Sequence, residues 1–168
     1  MRLLVLVAAA ALLVGCAGDN HAADRLWYVD GHVTALGMRG KIQKVERERA
    51  TTPARALDDL LQGPTKPERA EGLVTAIPEG TRVDRISVSN LRASVSLASS
   101  APRRDWRSGV YATAQIVYTL TEFDEVARVE LFVNGERCCL YDMGHRPIKL
   151  LTRHIFRGWQ GDPLPVPG

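Results

Sequence analysis

Residues 129–135 read Val-Glu-Leu-Phe-Val-Asn-Gly. Val129, Leu131 and Val133 stand at alternate positions, which predicts a strand that buries one face. The Asn-Gly pair that follows is a strong signal for a two-residue hairpin turn, because both of its positions require a positive φ. Residues 136–141 are therefore predicted to form the return strand of a β-hairpin.

The preceding segment, residues 114–121, reads Ala-Gln-Ile-Val-Tyr-Thr-Leu-Thr and supports two interpretations. Its β-branched and aromatic residues would suit a strand. However, apolar and small residues recur at helical spacing from Trp106 to Leu120, so that they share one face. We predict a helix that begins after a cap at Asp105 and packs this face into the core.

A shorter helix is predicted upstream. Thr52-Pro53 is a typical helix start, with a capping side chain followed by a proline that needs no N–H partner. The leucines at positions 57, 60 and 61 form one apolar stripe. Gly63-Pro64 ends the helix, because glycine favours the left-handed cap and proline cannot continue the helix.

Two further hairpins are predicted around the helices. Residues 82–88 and 93–97 have the alternation of paired strands and meet at a turn near Ser89-Asn90. Residues 26–29 form an aromatic and apolar strand that stops at Asp30-Gly31, and residues 32–36 could supply its partner. The charged segment 41–49 gives no regular prediction.

These elements predict an α/β (α+β) domain with a small mixed or antiparallel sheet and about two packed helices. A length of 168 residues favours a single domain. We assign residues 1–15 to a lipoprotein signal peptide and 16–25 to a lipidated tether. Residues 26–157 form the predicted domain, and 158–168 form a proline-rich tail.

The N-terminus has the pattern of an export signal. Residues 3–14 are an uninterrupted apolar run, shorter than the roughly 20 residues that span a bilayer and suited to a secretory signal. The run ends in Leu13-Val14-Gly15-Cys16, which resembles a bacterial lipobox. The resemblance implies a lipid on the Cys16 thiol and anchorage at the extracytoplasmic face of the cell membrane. The alternative is an ordinary cleaved signal with a chance cysteine.

The other two cysteines, Cys138 and Cys139, are neighbours in the sequence. On a strand, adjacent side chains point to opposite faces, and a bridge between neighbours would depart from ordinary disulfide geometry. We therefore predict two structural or free thiols. A redox-active pair is the alternative.

Four motifs occur in a fixed order, at residues 60–64, 76–81, 115–120 and 129–135. They read Leu-Leu-Gln-Gly-Pro, Ala-Ile-Pro-Glu-Gly-Thr, Gln-Ile-Val-Tyr-Thr-Leu and Val-Glu-Leu-Phe-Val-Asn-Gly. In these motifs the sequence resembles the GerMN family, a sporulation and spore-germination domain of bacterial envelope lipoproteins. The resemblance implies a compact α/β domain similar to the ring-building modules of secretion and sporulation complexes. It brings no catalytic residue and no cofactor.

The residues that could carry chemistry do not form a catalytic set. His21, His32, His145 and His154 lack the spacing of metal ligands. Cys138 and Cys139 with His145 and His154 could be grouped as a zinc set, but opposite-facing cysteines and an exported location argue against it. Asp58-Asp59 diverge on their helix. We predict a protein that is not an enzyme and that binds no cofactor or metal.

One basic cluster stands out, formed by Arg103, Arg104 and Arg107. It is predicted to be a solvated loop, and the alternative is contact with anionic lipid head groups or wall polymers. A net charge of +3 does not indicate a nucleic-acid partner.

These observations leave two functions open. The first is a non-catalytic, membrane-anchored envelope lipoprotein whose domain docks on another protein or on itself. The alternative is a module that binds a small molecule or a cell-wall fragment, with Trp27, Trp106 and Trp159 as stacking surfaces.

Overall fold

The structure is a computed structural model that describes residues 25–31, 41–47, 52–102, 105–106 and 109–156. The predicted signal peptide, the tether up to residue 24, the strand at 32–36 and the tail at 158–168 lie outside the described residues. So do Arg103, Arg104 and Arg107.

The first sheet has three antiparallel strands in the order β2-β1-β3. They are β1 (Arg25–Asp30), β2 (Ile42–Glu46) and β3 (Leu73–Val74). The strand that pairs with β1 along its length is thus β2, within the charged segment for which no strand was predicted. The sequence did not indicate a strand here because β2 is an edge strand with few apolar residues, whose Gln43, Lys44 and Glu46 are exposed.

The second sheet has four strands in the order β4-β5-β6-β7. They are β4 (Arg82–Ser89), β5 (Arg92–Ala98), β6 (Arg128–Val133) and β7 (Glu136–Arg137). The predicted hairpin of β4 and β5 is confirmed as an antiparallel pair, and β5 pairs with β6 in parallel. The sheet contains both antiparallel and parallel pairs and is therefore mixed. The parallel pair requires a crossover connection between its two strands.

The predicted Asn-Gly turn is confirmed, with φ values of 51° at Asn134 and 80° at Gly135. The return strand is shorter than predicted, because β7 ends at Arg137. The chain then turns around Asp142, which accepts hydrogen bonds from the backbone N–H groups of Gly144 and Arg146. Leu151 returns to pair with Val129 on β6.

Three α-helices and a 3₁₀ turn are described: α1 (Pro53–Leu61), α2 (Lys66–Ala70), α3 (Val110–Leu120) and the 3₁₀ turn Arg153–Phe156. The prediction of α1 is confirmed, including its cap: the Thr52 side chain accepts a hydrogen bond from the Arg55 N–H at 3.3 Å. Gly63 follows with a φ of 78°, as expected for a left-handed helix end.

The helical interpretation of residues 114–121 is confirmed, but the predicted start and the predicted single apolar face are wrong. α3 begins at Val110 after Gly109, so Trp106 lies before it. Every residue from 112 to 120 is buried. The reason is tertiary: α3 packs against β1, β2, β6, α1 and the 3₁₀ turn together, which leaves no side of the helix for solvent.

The α+β class is therefore confirmed, with the strands divided between two sheets. One continuous core joins them. Its largest fully buried side chains come from both sheets, from the helices and from the C-terminal turn, and include Trp106, Tyr28, Phe156, Leu57, Leu131 and Leu151.

Candidate functional site

The buried helix α3 is held by polar contacts to the first sheet. The Gln115 side chain accepts a hydrogen bond from the Ala76 N–H at 2.7 Å and donates one to the Trp27 carbonyl at 3.0 Å. The Thr119 hydroxyl accepts from the Trp27 N–H at 3.1 Å. Because the two Trp27 groups are buried and the Ala76 N–H is partly buried, each pairing satisfies a backbone atom that has lost water. These polar residues therefore have a structural use.

A charged cluster lies where α3 ends. Glu122 accepts hydrogen bonds from Arg25 at 3.2 Å, from the Trp27 indole at 3.1 Å and from Arg153. Burial alone would raise the pKa of Glu122, but the hydrogen bond from Arg153 and its charge, together with Arg25 and Trp27, hold that pKa below its ordinary value. Arg153 also donates to the Tyr118 carbonyl at 2.9 Å. The carboxylate is thus hydrogen-bonded to three side chains of the same chain, so its role in the fold is structural.

A second charged pair joins the residue that follows β2 to α2. Arg47 donates to Glu68 at 3.0 Å and lies 5.4 Å from the centre of the Tyr28 ring. Burial raises the pKa of Tyr28 to about 12. The Tyr28 hydroxyl donates to the Asp59 carbonyl at 3.4 Å, so this tyrosine remains a neutral structural donor at physiological pH.

The four-stranded sheet has two different faces. Residues of β5 and β6 that point inward are apolar, and all are buried except the half-buried Val133. The opposite side, here called the outer face, carries residues that the register of β4, β5, β6 and β7 aligns. Its members are Arg82, Arg85, Ser87, Ser89, Arg92, Ser94, Ser96, Ala98, Arg128, Glu130, Phe132 and Arg137.

The outer face is ordered by contacts centred on Glu130. This carboxylate pairs with Arg92 at 3.6 Å and with Arg137 at 3.1 Å. The Arg137 guanidinium also lies 4.7 Å from the centre of the Phe132 ring. Arginine and aromatic side chains are both enriched in protein interfaces.

The sheet ends in a long edge strand. No further strand lies beside β4 in the described part of the chain, and all its residues except Val83 and Ile86 are exposed. The first half is protected by charged residues and by an irregularity in pairing at Asp84. The second half, Ile86 to Ser89, has neither. Next to it Leu91 is 53% exposed.

A small cleft of about 180 Å³ opens beside β7. Trp106 and Val133 form its apolar side, together with Cys138 and Cys139, which the structure joins in a disulfide. The prediction of two separate thiols is therefore wrong. It assumed the alternation of a strand, but β7 ends at Arg137, before the first cysteine.

The other residues singled out by sequence do not come together. Trp27 and Trp106 are both buried in the core, whereas Trp159 and Cys16 lie outside the described residues. His145 and His154 are exposed. Within the described ranges no group of three or more His, Cys, Asp or Glu residues could hold a metal ion.

The outer face was missed by sequence reasoning. Its arginines are scattered over the sequence and share a face only when the four strands align. A signal was present, since Arg82, Arg85, Arg92 and Arg128 lie in or at the ends of predicted strands.

No helix in the described part of the chain is long and apolar enough to cross a membrane.

Fold and site together define a small α+β domain with a buried helix and a mixed sheet whose outer face is exposed in part. The chain belongs to the Germane family, described as sporulation and spore germination, whose model matches residues 26–139. The four motifs noted in the sequence lie within this match. No curated protein sequence matches the chain.

Solved structures show the same fold. The first GerMN domain of the sporulation protein GerM from Bacillus subtilis matches with a TM-score of 0.56 and 19% identity, over 79% of this chain and 98% of that one. The tandem GerMN domains of the same protein match with a TM-score of 0.54 and 19% identity, over 78% of this chain and 46% of that one. This chain thus spans about half of the tandem structure.

Proposed function

We propose that this protein is a lipid-anchored component of the bacterial cell envelope whose GerMN-like domain is a non-catalytic docking module. The lipid on Cys16 would hold the chain on the extracytoplasmic face of the membrane. The domain would then contact another envelope protein or a second copy of itself. The link to sporulation or germination rests on the family alone.

The observation that carries the docking role is the second half of β4. It is an exposed edge with neither charge nor bulge, the two features that ordinarily prevent one strand edge from pairing with another. A partner strand could pair there through main-chain hydrogen bonds. The family match supports the proposal, and the buried polar groups described above are all engaged in structural contacts.

In-cell photocrosslinking tests the docking role. A photoreactive benzophenone residue replaces Val88 on the edge, and the same residue at Met143, which is fully exposed, serves as the matched control. We expect a discrete crosslinked protein, or a ladder of this chain, from Val88 only. Equal labelling from both positions, or recovery of wall glycan alone, would contradict docking through this edge.

The anchor is tested separately. Metabolic labelling with an alkyne fatty acid should mark the wild-type chain and leave Cys16→Ser unlabelled, and the variant should leave the membrane fraction. A Cys16→Ser chain that still carries the label would exclude lipidation at this residue.

The cleft beside β7 favours a second candidate, a binding module for a small molecule or wall fragment. Its indole and disulfide form an apolar side, and Asn134, Glu136 and Tyr141 line the remainder. Titration with soluble muropeptides should then change tryptophan fluorescence in the wild type and not in Trp106→Phe. The absence of any change in the wild type would count against this candidate.

A further inference from the structure

We propose that the outer face of the four-stranded sheet binds an elongated acidic segment of a partner protein that lies along β5. This inference rests on the proposed docking function and adds the chemistry of the partner. It concerns a different surface from the edge of β4, so the two can be tested independently.

The charge of the outer face is the first argument. Arg82, Arg85, Arg92, Arg128 and Arg137 lie on it by register, against the single carboxylate of Glu130. Asp84, at the irregularity in β4, has no register partner on β5, so the register assigns it to neither face. The excess is large for a chain whose total net charge is only +3. Such a concentration of one sign is complementary to an acidic surface.

The arginines are of two kinds. Arg92 and Arg137 are already paired with Glu130, and Arg128 donates to the Asn90 carbonyl at 3.1 Å. Arg82 and Arg85 are exposed and have no ion pair to any other described residue. These two guanidinium groups are therefore available to carboxylates of a partner, which they can bind with two parallel hydrogen bonds.

The shape of the face is the second argument. Beyond Arg92, at the start of β5, the outward residues of this strand are the small Ser94, Ser96 and Ala98. Ser96 lies between Arg85 on one side and Phe132 on the other. Neighbouring strands lie about 4.8 Å apart, so the larger side chains border a shallow trough of small residues roughly two strand spacings wide. An extended segment or a helix fits such a trough lengthwise.

The third argument distinguishes a protein from a lipid surface or a glycan. The β6 part of the face holds Phe132 beneath the Arg137 guanidinium, and Arg137 is itself bonded to Glu130 and to the Lys149 carbonyl. Buried or half-buried aromatic and arginine side chains are the residue types that contribute most to protein interfaces. A purely electrostatic surface for phosphate groups would not require this ordered aromatic centre.

Photocrosslinking from within the trough tests the inference. The photoreactive residue replaces Ser96 in the full chain, expressed in its own cells, and the crosslinked peptide is sequenced. We expect one discrete protein, joined through a segment rich in Asp and Glu. In Arg82→Gln/Arg85→Gln the yield should fall about fivefold or more, the effect of losing two charge contacts at an interface rim.

Two matched variants separate charge from other effects. Lys44→Gln/Lys66→Gln also removes two exposed positive charges, from the first sheet and from α2, and should leave the yield unchanged. Arg82→Lys/Arg85→Lys keeps the charge without the planar fork and should retain an intermediate yield. Thermal unfolding of each variant confirms that the domain is folded, since all four sites are exposed.

The contradicting results are distinct. Crosslinks only to lipid, to glycan or to this chain itself would overturn the inference, as would a partner joined through a segment without acidic residues. A protein crosslink that is unaffected by Arg82→Gln/Arg85→Gln would overturn it also. If Val88 captures a partner and Ser96 does not, the docking function stands and the acidic-segment inference fails. If neither position captures a protein, both fail.

Discussion

Helices α1 and α3 pack against each other in the same core, yet they are built differently. α1 buries one side, through Ala56, Leu57 and Leu60, and exposes the other. α3 is buried on all sides and contains three buried polar residues, Thr113, Gln115 and Thr119. A helix at the surface of the core is thus specified by the periodicity of its apolar residues. A helix in the centre of the core is specified by the hydrogen-bond partners of its buried polar side chains.

The largest effect is expected at the apolar helix. Leu57→Ala removes a completely buried side chain and should lower the free energy of unfolding by about 3 to 4 kcal/mol, through lost burial and the cavity that remains. Urea unfolding followed by tryptophan fluorescence measures it. Leu61→Ala, at a half-buried position of the same helix, is the control and should cost less. Equal losses at both sites would contradict the one-sided packing of α1.

The polar helix should be nearly as sensitive at Gln115. Gln115→Leu keeps most of the side-chain volume but leaves the Ala76 N–H and the Trp27 carbonyl unpaired. The expected loss is about 3 kcal/mol, the usual cost of leaving one buried and one partly buried group unsatisfied. Gln62→Leu, on the exposed end of α1, is the matched control and should change stability little. A loss at Gln115 no larger than this control would show that these bonds do not hold α3.

The charged end of α3 gives a prediction with a pH dependence. Glu122→Gln should cost about 2 kcal/mol at neutral pH, because it removes the charge that Arg153 and Arg25 neutralise in a mostly buried site. The pKa of Glu122 is lowered in the folded protein from an ordinary 4.5. Its stabilising effect is thus complete above that ordinary value and is lost as the pH falls through the lower folded pKa.

The pH series separates charge from packing. Urea unfolding of wild type and Glu122→Gln at several pH values should show the difference at neutral pH and little difference in strong acid. Glu125→Gln, an exposed neighbour, is the control. A difference that stays constant down to strong acid would assign the effect to shape instead of charge.

The smallest effect is a gain. The Thr113 hydroxyl is buried and has no hydrogen-bond partner among the described residues. Thr113→Val has the same shape without the hydroxyl and should raise the free energy of unfolding by about 1 kcal/mol. Thr119→Val is the informative counterpart, because its hydroxyl accepts from Trp27, and it should destabilise. Changes of opposite sign in the free energy of unfolding at the two threonines would sharpen the contrast with α1. A lower free energy of unfolding for Thr113→Val would instead indicate that its hydroxyl has a partner.

The accuracy of the sequence predictions follows the same contrast. α1, the β4–β5 hairpin and the Asn-Gly turn were predicted because each is specified by neighbours in the sequence: a cap, an alternation or a turn residue. β2 was missed because an edge strand carries charges where alternation is expected. The start of α3 was misplaced because Trp106 has helical spacing but contributes to the core from the segment before Gly109.

The sequence by itself determined the α+β class, the family and most of the local elements. It also carries the lipobox-like motif at Cys16, which remains a prediction. These properties depend on short-range patterns, which are legible without knowledge of the packing. Only the tertiary structure decided that two sheets enclose α3, that Cys138 and Cys139 are joined, and that five distant arginines share one face. Those features arise from strand register and helix burial, which bring together residues that the sequence keeps far apart.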